Sequence, residues 1–165
     1  MAESIAVVLE LDRRSGFKDW SEFDSALWQA VCEVVESRES LDDLPEPVRV
    51  YYATRYLEWE VGNGGFAQAA MNIPELFEPA ARGYEVLGKP KLAKFVRDAA
   101  RLAEREGDNI DAAREGRLEG TFEYFRERTF DDFDKRLDEV GWFKNDEQRL
   151  DYVRSHREIF ASAVN

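Results

Sequence analysis

The side chains best placed to do chemistry cluster between Glu60 and Asn72. A carboxylate, Glu60, is followed by the carboxamides Asn63, Gln68 and Asn72, with Gly64, Gly65 and Phe66 between them. Consecutive glycines permit positive φ and close backbone approach. If a helix restarts there, the amides of Gly64, Gly65 and Phe66 point outward and can hold a carboxylate or phosphate. Helix ends must be capped in any case, so Glu60 or another side chain of the same chain is the commoner occupant. Buried acids can also do proton chemistry, but nothing in the residue pattern selects that role.

Other catalytic patterns fail on their own terms. Gly83 to Lys89 has the G-x-x-x-x-G-K spacing of a phosphate loop, but Pro90 replaces the required Ser or Thr and a helical pattern precedes it. His156 is the only histidine and lies among Tyr152, Val153, Ile159 and Phe160, so it is expected to be a hydrogen-bonded core residue. Asp131, Asp132, Asp134 and Asp138 lack the glycine and spacing of a calcium loop. Cys32 is alone and excludes an internal disulfide. No catalytic residue is assigned, and neither a cofactor nor a metal is expected.

The elements that position these residues read as helices. The chain of 165 residues suits a single compact domain, 1–165, with 11 Phe, 6 Tyr and 4 Trp to fill its core. Residues 4–11 are expected to be helical, since no second strand candidate exists to pair with them. Ser21 with Asp24 resembles a helix cap before Phe23, Leu27, Ala30, Val31 and Val34. Residues 38–46 form an acidic loop. A helix over about 47–61 is apolar nearly all round and is expected to be buried. It ends at the Gly-rich joint, and a short helix runs from Phe66 to Met71. Further helices are expected from Pro74 to Gly88 and from Pro90 to Glu106. Residues 108–120 read as a loop with a helical turn, and Thr121 and Thr129 as caps. Phe130, Phe133, Leu137 and Val140 share a face, and Asn145 with Gln148 resembles a capping box for a last helix over 146–162. The fold class is all-α.

Charge is the strongest compositional feature. The formal net charge is −12, which opposes contact with nucleic acid or anionic lipid and favours basic partners. Residues 1–60 hold 14 acids and 6 bases, two thirds of the excess. A helical wheel of 21–37 gathers Glu22, Gln29, Glu33 and Glu36 opposite the apolar face; Glu39, Asp42, Asp43 and Glu46 continue the run. Asp131, Asp134 and Asp138 make a second row. Residues four apart on a helix rise about 6 Å, near the spacing of phosphates along one DNA strand. Most charge runs are solvated faces, and both rows admit that explanation. Lys94, Arg97, Arg101 and Arg105 form a basic stripe that can pair with an acidic row of a second subunit, bind an anion, or simply be solvated. The apolar stretch Ile5–Leu9 is flanked by Glu3 and Glu10, unlike a signal peptide, and no segment has the roughly 20 apolar residues that span a bilayer. A cytoplasmic location is expected.

The string Glu60-Val61-Gly62-Asn63-Gly64-Gly65-Phe66-Ala67-Gln68, with Asn72 beyond it, resembles the signature of a bacterial family named for a DNA-mimic protein. Val48 to Tyr52 and Leu137 to Glu139 are similar to that family's flanking segments, so the resemblance spans roughly residues 45–160. It implies a mainly helical fold, often dimeric, and occupation of a transcription factor's DNA-binding face. Ala69-Ala70-Met71 depart from it, because relatives commonly carry aromatics there. The leading expectation is therefore an acidic regulatory protein, not an enzyme, that competes with DNA for a basic DNA-binding partner through its acidic rows. An alternative is a small-ligand protein or enzyme using a pocket around Glu60, Asn63, Gln68 and Asn72. A third is a structural helical module that assembles with a partner or a second copy.

Overall fold

The computed structural model describes residues 4–115 and 129–163, and every regular element within them is helical. The chain forms two compact units, residues 1–52 with 145–165 and residues 53–144. The all-α expectation is met. The cap expected at Thr121 lies outside the described residues.

The first unit contains α1 (Ile5–Arg13), α2 (Trp20–Glu36), the opening of α3 (Glu46–Asn72), α9 (Asp146–Ser155) and α10 (Arg157–Ser162). Residues 4–11 are helical as expected: Ser4 caps α1, which buries Ile5, Val8 and Leu9. The cap of α2 is a correction. Asp19, not Ser21, accepts the Glu22 amide at 3.0 Å, and Glu22 reaches back to the Lys18 amide at 2.7 Å. Asp24 turns inward and accepts the Tyr51 hydroxyl at 2.9 Å. Both positions have the polar spacing of a cap, and burial of Asp24 beside Tyr51 decides between them. Phe23, Leu27, Val31, Val48, Leu150 and Phe160 belong to one buried core. The acidic loop includes a 3₁₀ turn, Leu41–Asp43, closed by reciprocal bonds between Ser40 and Asp43.

The helix expected over 146–162 is broken at His156 into α9 and α10. Asn145 occupies the N-cap position without a side-chain capping bond, so the expected box does not form. His156 is half-buried rather than a core residue, with Nδ1 2.8 Å from the Tyr152 carbonyl and 3.0 Å from Ser155 Oγ.

The second unit holds the remainder of α3, a 3₁₀ turn at Pro74–Leu76, α4 (Phe77–Val86), α5 (Pro90–Arg105), α6 (Gly107–Glu115), α7 (Asp131–Asp134) and α8 (Leu137–Val140). The apolar helix over 47–61 is buried along most of its length, including Val48, Tyr51, Ala53, Leu57 and Val61, although Trp59 is half-exposed. α4 packs along α5. Between them Gly88 has φ 72°, and the Lys89 amide reaches back to the Tyr84 carbonyl at 2.7 Å. The G-x-x-x-x-G-K spacing is thus a helix stop of the six-to-one kind. Part of the stretch read as a loop, 108–115, is instead helical and belongs to α6. Its buried face is only Ile110 and Ala113, too few apolar positions to show a period. Thr129 does not cap α7: Phe130 is at the N-cap, with no side-chain bond.

Asp12 ties the ends of the first unit together. Its side chain is 10% exposed and receives Arg154 Nη2 at 3.1 Å and the guanidinium of Arg157. Burial opposes ionisation, but the bonds from Arg154 and Arg157 outweigh it and hold the carboxyl below its ordinary value. A depressed carboxyl stabilises the folded state above its unfolded pKa, and that stability is lost as pH falls through the folded pKa. Asp12→Asn is therefore expected to lower the melting temperature by several degrees at pH 7. The gap to the wild type should close in acid below the ordinary carboxylate range, which thermal melts across a pH series will read.

Candidate functional site

The joint is a kink within α3, where Gly64 (φ −158°, ψ 24°) and Gly65 (φ 74°, ψ −175°) leave helical geometry. Gly64 keeps a negative φ, but a Cβ there would lie 2.2 Å from Gln68 Oε1, so its missing side chain makes room for Gln68. Gly65 occupies a region essentially confined to glycine. A Cβ on Gly65 would lie 2.4 Å from Asp134 Oδ2, so the missing side chain is also the space the carboxylate uses. The helix restarts at once, and the Phe66 amide donates to Asp134 Oδ1 at 2.9 Å. The carboxylate that the outward amides can hold is therefore the chain's own. Burial pushes the Asp134 carboxyl above its ordinary value; the Phe66 amide works against that and the nearby Asp131 charge adds to it.

Across the kink, Glu60 is 3% exposed, and its Oε2 accepts Gln68 Nε2 at 2.8 Å and Asn72 Nδ2 at 3.0 Å. The two carboxamides thus bind the carboxylate of the preceding helical segment and staple the segments together. Asn63 is exposed. Phe66 is fully buried, with ring centroids 6.1 Å from Phe77, 5.6 Å from Phe95, 5.7 Å from Phe133 and 5.1 Å from Trp142. The geometry brings Glu60, Gly64, Gly65, Phe66, Gln68 and Asn72 together, adds Asp134, and leaves Asn63 outside.

The acidic rows fare differently. Glu22, Glu33, Glu36, Glu39, Asp42, Asp43 and Glu46 are all exposed. Asp42 pairs with Arg49 at 3.1 Å yet its side chain is 91% exposed. Among the described residues Glu36, Glu39 and Glu46 make no ion pair. The second set does not stand as one exposed row: Asp134 faces the joint, Asp131 is half-buried near Lys135, and Asp138 is exposed. The basic stripe is largely spent within its own unit. Lys94 and Arg101 bind Asp98 at 2.6 and 3.1 Å, and Arg97 binds Glu85 at 2.6 Å and Glu78 at 3.1 Å.

Residues 42–156 match the model of the DMP19-like protein family. The chain belongs to this family. It matches no curated protein and no solved structure. Within the DMP19-like region, three contributors to the joint had no sequence signal tying them to it. Asp134 lies 68 residues from the amide it caps. Trp142 is completely buried against Phe66 and Tyr84. Arg114 Nε donates to the Met71 carbonyl at 2.8 Å, covering the open end of the restarted helix. Among the described residues of this DMP19-like chain, no helix is long and apolar enough to cross a membrane.

Substitutions across the joint should separate architecture from ligand contact. Gly65→Ala is expected to cost about 1–3 kcal/mol, from backbone strain and displacement of Asp134. Gln68→Ala should cost about 1.5–3 kcal/mol, because it removes a hydrogen bond to a buried carboxylate. Asn63→Ala should stay within about 0.5 kcal/mol of wild type. Chemical denaturation of the three variants measures all of these, and a large loss for Asn63→Ala with none for Gln68→Ala would reverse the assignment.

Proposed function

We propose that this DMP19-like protein acts by binding rather than by catalysis, as an acidic regulator that presents carboxylates where a basic DNA-binding protein expects phosphates. The observation that carries this is the exposed set in the first unit, above all Glu36, Glu39 and Glu46, which spend no charge on ion pairs among the described residues. The sequence of that unit holds 16 acids and 8 bases, a balance of −8 out of the −12 of the whole chain. Family membership supports the same reading through the DNA-mimic resemblance of the Glu60–Gln68 string. Carboxylates on helices and on a capped 3₁₀ turn are held more firmly than those on a tail, and a firm array of charge is what a phosphate-binding face discriminates.

The partner is a DNA-binding protein such as a transcription factor, engaged by protein–protein contact, with no nucleic acid held by this chain. The pocket alternative around Glu60, Asn63, Gln68 and Asn72 gains less support, since Gln68 and Asn72 already bind Glu60.

The test combines capture and competition. The protein retains its partner from native cell extract, and the retained protein is then offered its own duplex DNA with and without the acidic protein. The expected result is displacement of DNA, weakening steeply as salt shortens the Debye length below about 10 Å. The combined variant Glu36→Lys, Glu39→Lys, Glu46→Lys should bind the same partner at least about tenfold more weakly. Unchanged binding by the reversed variant, or simultaneous binding of DNA and the acidic protein, would contradict the proposal.

A further inference from the structure

The second unit contains a cavity of about 380 Å³ that none of the acids of the first unit lines and that shares Phe77 and Arg114 with the surroundings of the joint. Its floor is apolar: Ala70, Phe77, Ala103 and Ile110 line it and are all buried. Small side chains keep it open. A Cβ on Gly107, which also lines it, would meet no atom within 4 Å. The volume falls within the roughly 300–1,000 Å³ range of small-molecule sites, and apolar walls with few polar groups are their usual composition.

Among the described residues, acids outnumber bases around the cavity. Glu75, Glu78, Glu104 and Asp111 all line the cavity. Glu78 is occupied by Arg82 and Arg97, each at 3.1 Å, and Asp111 by Arg114 at 3.2 Å. Glu75 and Glu104 are exposed and make no ion pair among the described residues. Among the described residues of the lining Arg114 is the only base, and it is tied to the Met71 carbonyl and Asp111, so it forms wall rather than an anion receptor. An anionic ligand would meet unpaired carboxylates, and a neutral one would leave them unused. A helical peptide needs a long groove for several anchors, whereas four short segments surround this cavity.

We propose that this cavity binds a small organic cation, an ammonium group carried on an aromatic or alkyl body. The body sits on the Ala70, Phe77, Ala103 and Ile110 floor, and the ammonium lies between Glu75 and Glu104. The site is independent of the DNA-mimic reading and stands or falls separately.

Three probes of one shape test it: 1-naphthylmethylammonium, 1-naphthalenemethanol and 1-naphthoate, titrated into the labelled full chain and followed by amide NMR. The expected result is saturable shifts at Ala70, Ala103, Gly107 and Ile110 with the ammonium, and at least tenfold weaker binding of the naphthoate. Glu75→Gln with Glu104→Gln should weaken the ammonium at least fivefold while leaving the alcohol unchanged. Ala100→Phe, whose side chain would enter the cavity, should abolish binding in a protein that still melts cooperatively. If that variant fails to fold, the Gln pair alone decides. Equal binding of all three probes, shifts elsewhere, or indifference to the Gln pair would overturn the proposal. So would a lysine-rich amphipathic peptide that shifts these amides when the small ammonium does not.

Discussion

A helix that restarts inside a protein exposes amides that something must satisfy, and in this chain Asp134 does so for Phe66. That contact requires Gly65 at a φ closed to other residues, because any side chain there would occupy the space the carboxylate needs. It also positions Phe66 among Phe77, Phe95, Phe133 and Trp142, so the backbone turn and the aromatic packing of the second unit are set at one place. Glu60 with Gln68 and Asn72 holds the two sides of the kink together. The carboxylate–amide contact is favourable, but half-burial of Asp134 opposes its charge, which is why its carboxyl is raised rather than lowered.

This arrangement explains why the most distinctive string in the sequence is a poor guide to activity. Polar side chains around glycines resemble a ligand site because a ligand site and an internal helix restart must solve the same problem, unsatisfied amides. The chain solves it with its own acid. Charge elsewhere follows a complementary logic. The bases Lys94, Arg97 and Arg101 are bound to neighbouring acids, while Glu36, Glu39 and Glu46 remain facing solvent. Of the net charge of −12, −8 falls in the first unit, and Glu36, Glu39 and Glu46 present part of it to solvent.

Local periodicity made much of the fold legible: the amphipathic α2 and α5, the apolar stretch before the joint and the break at Gly64–Gly65 are all visible as patterns of residue type. What failed was decided by tertiary contact. Asp24 has the spacing of a cap but is drawn inward by Tyr51, leaving Asp19 to cap α2. Residues 107–115 have only Ile110 and Ala113 to bury, so no period announces their helix. The site was half legible. Glu60, Gly64, Gly65, Phe66, Gln68 and Asn72 lie close in sequence, which groups them, whereas the pattern of acids places Asp134 in a surface row because its partner is 68 residues away. A carboxylate beside a hydrophobic helix face looks the same from sequence whether it faces water or a backbone amide.

The most direct test of this arrangement is the pH titration of the Phe66 amide proton in the intact protein, followed by NMR alongside the Asp134 side-chain carboxyl carbon. A hydrogen bond between them predicts a downfield Phe66 proton whose shift titrates together with that carboxyl carbon, at a pH above the ordinary aspartate range, and loses its pH dependence in Asp134→Asn. A Phe66 amide indifferent to pH, or an Asp134 carboxyl that titrates at or below the ordinary value, would contradict the account.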